Sequence, residues 1–269
     1  MQPSGVITIT TDFGHKGPFV GVMKGVIISR FRDAKIIDLT HDIPAQWPPE
    51  AGFWVRRSYR YFPPGTVHLA IVDPGVGTER DILIAEYDHH YFMAPDNGLL
   101  GRMLDHAEGA AVYKLDMAAL ERLDISPPSN TFHGRDVFAP IAAELAAGNT
   151  TPVSIASATD SWTPAWVDEP EITAGKVTGS IITVDAFGNL ISNIDAPFLQ
   201  EIDNPIAHIA GHDIALRLTY GNVNPGEYLA LIISFDVLEI ARAESSAAEG
   251  LGVERGAPVT VRDSAAPQP

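Results

Sequence analysis

The sequence contains no cysteine, which excludes disulfides, thiolate nucleophiles and cysteine-ligated metal sites. It also lacks any run of about 18 to 20 apolar residues that could span a membrane. The N-terminus has no basic stretch followed by an apolar one, as a secretory signal would have. From these absences we expect a cytoplasmic protein with no membrane partner.

Positive charge is scarce, because 18 Lys and Arg residues face 34 Asp and Glu residues and give a formal net charge of −16. Such an excess of carboxylates disfavours binding to nucleic-acid phosphates or anionic membranes, so we expect no nucleic-acid partner. The charge is compatible with a cationic substrate. An acidic surface that only keeps the protein soluble is the commoner explanation, so charge alone identifies no ligand.

Two widespread kinds of binding motif are missing as well. There is neither a Gly-x-Gly-x-x-Gly phosphate loop nor a Walker-type lysine motif, so phosphate recognition has no support. Histidine and aspartate pairs occur at His41-Asp42 and His89-His90, but no His-x-x-x-His or comparable spacing accompanies them. We therefore predict no metal site.

The first half of the chain alternates strand and helix patterns. Apolar or β-branched runs at 6–10, 36–39 and 67–72 predict strands, with helical patterns from Pro18 and Pro48 between them. Such alternation implies crossover connections, and hence an α/β N-terminal domain with a largely parallel sheet over 1–160. A hairpin-like pair of strands at 81–85 and 91–93 follows, and then a helix at 135–147 with Gly148 as its C-cap.

After a Ser/Thr/Pro/Trp-rich connector at about 150–172, the pattern changes to short strands separated by turns. These strands are predicted at 176–185, 190–194, 214–219 and 228–234. They indicate a smaller all-β domain over 172–263, either a barrel-like sheet or a sandwich. Residues 264–269 are predicted to be disordered.

Three polar side chains stand in two turn-like stretches that follow apolar runs. Asp73 and Arg80 bound the first stretch, and His133 lies in the second, at 131–136. Arginine would keep the aspartate ionised and hold it by a bidentate contact, while histidine can accept or orient a proton near neutral pH. The three together could hold one water without a metal. From spacing alone, a turn aspartate, a surface arginine and a helix-capping histidine explain the same residues.

Two further acidic positions fit a ligand. Asp12 follows the first strand, where a carboxylate suits the two hydroxyls of a ribose, although a simple turn residue is an equally good reading. Asp185 and Asn189 bracket a turn in the second domain. They could receive an ammonium group and a polar edge, or could merely form an Asx-type turn.

Seven motifs occur in order over nearly the whole chain. They are Thr-Asp-Phe-Gly at 11–14, Asp-Leu-Thr-His-Asp-Ile-Pro at 38–44, Val-Asp-Pro-Gly-Val-Gly-Thr at 72–78, Ala-Pro-Asp-Asn-Gly-Leu-Leu at 94–100, Thr-Phe-His-Gly-Arg-Asp at 131–136, Phe-Gly-Asn at 187–189 and Leu-Glu-Ile-Ala at 238–241. With these motifs the chain resembles the S-adenosyl-L-methionine hydroxide adenosyltransferases, also called adenosine-forming S-adenosylmethionine hydrolases. These enzymes are relatives of the S-adenosylmethionine-dependent fluorinase and chlorinase.

The resemblance implies hydrolysis of S-adenosylmethionine to adenosine and L-methionine, with no cofactor. It also implies a homotrimer whose substrate lies between the N-terminal domain of one subunit and the C-terminal domain of its neighbour. The family's catalytic acid, arginine and histidine fall on Asp73, Arg80 and His133. The substrate-binding positions implied by the same resemblance are Asp12, Phe13, Phe132, Gly134, Asp185, Asn189, Tyr220, Ser234, Arg242 and Glu244.

Within these implied roles, Asp12 holds the ribose hydroxyls and Tyr220 stacks on adenine, while Asp185 and Ser234 meet the amino-acid end. Two positions depart from the family pattern, which often has Asn-Ser-Phe-Gly where this chain has Ile-Ser-Phe-Asp at 233–236, and an acid where it has Asn222. A halogenase of the same fold is disfavoured, since those relatives lack the acid–arginine–histidine set. A nucleoside-binding protein without turnover is the other alternative.

Overall fold

The computed structural model describes residues 1–264 and divides the chain into two compact units. The first is Met1–Trp166, and the second begins at Val167, inside the connector recognised in the sequence. Each unit has its own apolar core. Residues 265–269, which belong to the predicted disordered terminus, lie outside the described residues.

The N-terminal unit is built around a seven-stranded sheet flanked by helices. Its strands are β1 (Val6–Thr11), β2 (Lys35–Thr40), β3 (Val67–Ile71), β4 (Ile82–Tyr87), β5 (His90–Pro95), β6 (Ala111–Leu115) and β7 (Ala156–Ala158). Its helices are α1 (Phe19–Arg30), α2 (Pro48–Ser58), α3 (Gly101–Asp105), α4 (Ala119–Arg122), α5 (Ala139–Ala147) and α6 (Pro152–Ile155), with a 3₁₀ turn at Tyr59–Tyr61 and a π-helical turn at Gly134–Phe138.

The strand order is β2-β1-β3-β5-β4-β6-β7, and the first four of these strands run parallel. The strands β4, β6 and β7 pair antiparallel, so β4 and β5 form the hairpin that the sequence predicts. Alternate side chains of β3 enter different cores. Ile7 and Leu69 pack with helices α1 and α5, whereas Ala70 packs with α2 and α3. The predicted α/β class with a largely parallel sheet is confirmed.

The helix that follows His133 begins with a π-helical turn before it continues as α5. Pro140, near the start of α5, has no N–H with which to extend the usual hydrogen-bond ladder, and Ala139 N–H donates to Gly134 O five residues earlier. At the other end Gly148 adopts φ 74°, as a left-handed C-cap. The predicted helix and its cap are confirmed, and the wide first turn begins within the 131–136 motif, directly after His133.

The second unit is an all-antiparallel, nearly closed barrel-like sheet. Its strands are β8 (Glu171–Thr173), β9 (Lys176–Val184), β10 (Leu190–Asp195), β11 (Pro205–Ile209), β12 (His212–Ala215), β13 (Tyr228–Ile232), β14 (Val237–Arg242) and β15 (Pro258–Asp263), with 3₁₀ turns at Ala196–Leu199 and Tyr220–Asn222 and a short helix α7 (Ala247–Leu251). The order is β12-β11-β15-β9-β10-β14-β13, with β8 beside β9. An isolated bridge between Leu216 and Ala230 brings the two end strands together.

One predicted strand is too long. The sequence predicts a strand over 214–219, but β12 ends at Ala215. Arg217 N–H then donates to Ala230 O at 2.7 Å, and the Thr219 side chain accepts from Gly221 N–H to cap the 3₁₀ turn. A local side-chain cap therefore replaces the expected ladder. Among residues 1–264, no helix combines the length and apolarity that a bilayer crossing requires.

Candidate functional site

The two loops that carry the predicted catalytic side chains meet through their backbones at Gly77 and Asn130. Gly77 has φ 80°, and a Cβ on it would lie 2.1 Å from Asn130 O. Only glycine tolerates both the left-handed conformation and this contact. The loop that begins at Asp73 is therefore pressed against the loop that carries His133.

Asp73 and Arg80 form a two-pronged ion pair across the first loop. Arg80 Nε donates to Asp73 Oδ1 at 2.9 Å and to Oδ2 at 3.0 Å, and Arg80 Nη2 donates to Oδ2 as well. The exposed fractions of the two side chains are 10% for Arg80 and 5% for Asp73. The guanidinium thus holds the carboxylate in one orientation.

The same guanidinium reaches the histidine, because Arg80 Nη2 lies 3.2 Å from His133 Nδ1. Arginine can only donate a hydrogen bond, so Nδ1 is the acceptor and the proton of the neutral ring is on Nε2. His133 therefore offers an N–H donor at its free nitrogen. Arg80 therefore contacts both of the other predicted catalytic side chains, Asp73 and His133.

The neutral form of His133 is favoured by its surroundings. Burial, followed by the positive charge of Arg80, lowers the pKa of His133 from its ordinary value, although Asp73 and Asp136 act in the opposite direction. A protonated ring would carry a hydrogen on Nδ1 and could no longer accept from Arg80. The hydrogen bond and the lowered pKa thus agree on a neutral imidazole.

A cavity of about 220 Å³ opens beside this group in the N-terminal unit. It is lined by Phe13, Phe19, Ile71, Asp73, Val76, Thr131, Phe132, His133 and Gly134. The rings of Phe13, Phe19 and Phe132 meet edge to face with centroids 5.5 to 6.1 Å apart. Phe19 was not predicted as a site residue, because its sequence position suggests only a face of helix α1.

Gly134 keeps that cavity open on one side. A Cβ at this position would lie 3.2 Å from Met23 Sδ and 3.2 Å from Phe132 Cε2, which is tighter than ordinary packing. The absence of a side chain lets the first turn after His133 approach the aromatic wall.

Asp12 lies in the turn after β1 and does not line the cavity. Its Oδ2 accepts from Gln46 N–H at 2.8 Å, and no hydrogen bond from residues 1–264 reaches Oδ1. The turn is fixed from the 38–44 motif, since Thr11 Oγ1 lies 2.9 Å from His41 Nδ1 and Gly14 N–H donates to His41 O. Asp12 is half-buried and keeps one oxygen for a ligand.

A second cavity of about 720 Å³ lies in the C-terminal unit. It is lined by Asp185, Phe187, Asn189, Tyr220, Gly221, Val223, Pro225, Arg242, Ala243, Glu244, Ser245 and Ser246. Five positions predicted to bind substrate are thus brought together. Ser234, the sixth predicted position in this unit, is exposed in the turn between β13 and β14 and is not among the lining residues.

The 185–189 turn is organised by its own aspartate. Asp185 Oδ1 accepts from the N–H groups of Phe187 and Asn189, and Asp185 Oδ2 accepts from Asn189 Nδ2 at 3.1 Å. The Asx-type turn proposed as an alternative role is therefore present. It does not exclude binding, because carboxylate oxygens accept more than one hydrogen bond.

The arginine in this cavity is held by the protein itself. Arg242 Nε donates to Gly226 O at 2.9 Å, and its guanidinium lies 5.1 Å from the centroid of Tyr228. Glu244 is exposed with φ 57°, an unusual backbone conformation for glutamate. Within residues 1–264, no cationic side chain pairs with the carboxylate of Asp185, which lines the cavity.

One buried carboxyl behind the cavity wall, that of Glu239, is not predicted from the sequence. It is 2% exposed in β14 and accepts the hydroxyl of Tyr220 at 2.8 Å. Burial raises the pKa of Glu239 to about 7, with Asp185 adding to the rise and Tyr220 opposing it. The only signal in the sequence was a glutamate inside the apolar 238–241 motif.

The two cavities offer different chemistry. Within residues 1–264, no group of three or more His, Asp or Glu side chains suits a metal ion. The N-terminal cavity can hold a polarised water between a cation, a carboxylate and an imidazole N–H. The C-terminal cavity joins aromatic surface to carboxylates and therefore suits a cationic ligand with a planar part.

Comparison with known proteins matches both units to one family. Residues 7–155 match the SAM hydroxide adenosyltransferase N-terminal domain, and residues 179–260 match the C-terminal domain of that family. An (R)-S-adenosyl-L-methionine hydrolase from Thermus thermophilus is 35% identical, covering 93% of this chain and 96% of that protein. Another from Methanocaldococcus jannaschii is 30% identical, covering 93% and 92% of the two chains.

A crystal structure of an uncharacterized conserved protein from Thermotoga maritima superposes with a TM-score of 0.86 at 32% identity, covering 95% of this chain and 99% of that one. A fluorinase from Nocardia brasiliensis is a more distant relative, at 24% identity over 96% of both chains.

The loop contact at Gly77 can be tested by comparing two glycines of the same loop. We expect Gly77→Ala to lower the free energy of unfolding by about 2 kcal/mol or more, because it combines a strained φ with a backbone clash. In the matched control Gly75→Ala, the nearest neighbour of the new Cβ is Thr78 Oγ1 at 3.5 Å. Urea unfolding of both variants measures the difference, and equal stabilities would show that the loops do not meet as described.

Proposed function

We propose that this chain, which belongs to the SAM hydroxide adenosyltransferase family, hydrolyses S-adenosyl-L-methionine to adenosine and L-methionine. A water or hydroxide would attack the 5′ carbon of the ribose while methionine leaves. The observation that supports this most directly is the Asp73–Arg80–His133 group beside an aromatic-walled cavity. The family and the names of the hydrolases at 30–35% identity agree with it.

The leaving group sets what the protein has to supply. The sulfur of S-adenosylmethionine carries a positive charge, so methionine departs as a neutral thioether and needs no acid to protonate it. The protein has to bring one oxygen into line behind the 5′ carbon and make it more nucleophilic. No cofactor or metal enters this proposal.

We propose different tasks for the three predicted catalytic side chains on the basis of their hydrogen bonds. Arg80 supplies the positive charge that favours hydroxide over water, and His133 Nε2–H can donate to that oxygen. Asp73, whose carboxylate is held by Arg80, remains as the acceptor for the proton of the attacking water. From the sequence alone Asp73 and His133 share that acceptor role; the Arg80–His133 hydrogen bond supports giving it to Asp73.

Exclusion of water would add to the rate. Hydroxide and sulfonium neutralise each other in the transition state, so a pocket with apolar walls favours the reaction relative to bulk water. Phe13, Phe19 and Phe132 provide such walls. Fixing the two reactants in line can contribute on the order of 7–11 kcal/mol.

The remaining contacts are proposed from the resemblance and from the two cavities. Asp12 would hold the ribose hydroxyls with its free Oδ1, and Asp185 would meet the ammonium of the methionine part. We also propose a homotrimer, in which the N-terminal domain of one subunit and the C-terminal domain of its neighbour share each substrate. The cytoplasmic location expected from the sequence stays a prediction.

Replacing the acceptor carboxylate tests the chemistry. Asp73→Asn should lower kcat by roughly 10²- to 10⁴-fold, the usual range for a general base, while S-adenosylmethionine still binds. Chromatography of adenosine after incubation with S-adenosylmethionine measures turnover. The control Asp81→Asn, at an exposed aspartate paired with Lys114, should retain the parent rate.

Turnover by Asp73→Asn at the parent rate would contradict the assigned role. Absence of adenosine from the parent enzyme, despite binding, would favour the non-catalytic alternative. A 5′-halogenated nucleoside formed in the presence of chloride or fluoride would favour the halogenase.

The protonation state of His133 predicts a loss of activity in acid. Its pKa lies below the ordinary value of 6.5, so the ring stays neutral at pH 7 and becomes charged only as the pH falls through that lowered value. Because the charged ring loses the hydrogen bond from Arg80, kcat/KM should fall on the acidic side of pH 6.5. Titration of the His133 ring signals by NMR checks the assignment, and a pKa above 6.5 would refute it.

Asp12 is expected to act in binding more than in chemistry. Removing a charged partner of two hydroxyls in Asp12→Ala should weaken S-adenosylmethionine affinity by about 10- to 100-fold. Calorimetric titration measures it. Asp42→Ala is the matched control, since Asp42 is exposed in the adjoining 38–44 motif. Parent-like affinity in Asp12→Ala would remove the proposed ribose contact.

A further inference from the structure

Tyr220 forms part of the wall of the C-terminal cavity and is fixed at two ends. Its backbone belongs to a 3₁₀ turn that the Thr219 side chain caps. At the other end its hydroxyl donates to Glu239 Oε1 at 2.8 Å. The side chain is 48% exposed, so without the hydroxyl contact its ring would be free to change rotamer. The ring presented to the cavity is therefore held chiefly by one hydrogen bond.

Glu239 lies in surroundings that are unfavourable for a carboxyl group. It lies in the middle of β14, opposite Leu231 of β13 and Ile191 of β10, and is almost fully buried. Within residues 1–264 the groups that act on its ionisation are Tyr220 and Asp185, neither of which is a cation. A buried carboxyl without a cationic partner destabilises a fold, whereas an apolar side chain would be stable here.

We propose that Glu239 is a positioning residue, which accepts the Tyr220 hydroxyl and thereby holds the aromatic ring as a rigid wall for the planar base of a nucleoside. The proposal rests on the proposed function, since it names the part of that substrate which this wall receives. A wall that is already in place reduces the ordering cost of binding. The lower ordering cost of binding thus offsets the free-energy cost of burying Glu239.

The hold on Tyr220 depends on pH in a defined direction. Burial and the neighbouring Asp185 raise the pKa of Glu239 to about 7, so the carboxyl is neutral below that pH and ionised above it. A hydroxyl donates more strongly to a carboxylate than to a neutral carboxyl. Tyr220 is therefore held more firmly at pH 8 than at pH 6. The elements packed on Glu239 contribute Tyr220, Asp185 and the apolar Leu231 and Ile191 to its surroundings.

The titration of Glu239 can be measured without any ligand. An unfolded glutamate ionises near its ordinary value of 4.5, and the folded one only near 7, so the native state binds the extra proton between those values. Stability should therefore fall with rising pH in that window and level off above it. Relative to the parent, Glu239→Gln should gain about 5 °C in Tm between pH 5 and pH 8. A difference that does not change with pH would overturn the proposal.

Binding of adenosine tests the consequence for the cavity, since adenosine keeps its charge between pH 6 and pH 8. The parent should bind it about fivefold more tightly at pH 8 than at pH 6. Tyr220→Phe, which lacks the hydroxyl, and Glu239→Gln, which cannot ionise, should both lose that dependence. Glu239→Gln should still bind as the parent does at pH 6, since its amide oxygen accepts the same hydrogen bond. Tyr113→Phe in the other unit should behave as the parent.

The binding results distinguish failure of the Glu239 proposal from failure of the proposed function. A pH dependence retained in Tyr220→Phe or in Glu239→Gln would overturn the role of Glu239 while leaving the hydrolase proposal in place. Failure of the parent to bind adenosine at either pH, with S-adenosylmethionine also unbound, would overturn the proposed function and this inference with it. Calorimetry on the 269-residue chain provides all of these values.

Discussion

The guanidinium of Arg80 is the interaction on which the N-terminal site depends. It fixes the Asp73 carboxylate through two donors and occupies His133 Nδ1 through a third contact. By donating to Nδ1 it also decides the tautomer, and so turns the imidazole from an acceptor into a donor at its free nitrogen. A lysine could supply the charge but not the flat, forked geometry that reaches both partners at once.

That arrangement is available only because two distant loops are held together. Gly77 brings its backbone against Asn130, and Gly134 lets the helix start approach the aromatic wall. The π-helical turn beginning at Gly134 widens the backbone directly after His133. Two glycines and one irregular turn thus bring Arg80 and His133 into contact, although they are 53 positions apart in the sequence.

The sequence predicts the features that rest on local pattern. Alternating apolar runs predict the strands and helices of the N-terminal unit, and Gly148 predicts the end of α5. The family motifs point to the residues that gather at both cavities. Local sequence pattern cannot predict contacts between residues that are far apart in the chain. The proton position on His133 and the contact between Tyr220 and Glu239 depend on neighbours 53 and 19 positions away. Phe19 shows the same limit, since its helical spacing hides its place in a cavity wall.

The two cavities differ in charge in a way that fits the proposed reaction. The N-terminal group contributes a cation that favours an oxygen anion, whereas the C-terminal cavity is lined by the carboxylates of Asp185 and Glu244 and by Arg242, whose Nε donates to Gly226 O. A sulfonium substrate carrying an ammonium group is attracted to the second, and hydroxide is favoured at the first. After hydrolysis the sulfonium charge is gone, so adenosine keeps the proposed contacts of its ribose with Asp12 and of its base with Tyr220 but has no positive charge. The carboxylates of the C-terminal cavity therefore attract the charged substrate more strongly than the nucleoside product. This difference in charge favours release of the nucleoside after turnover.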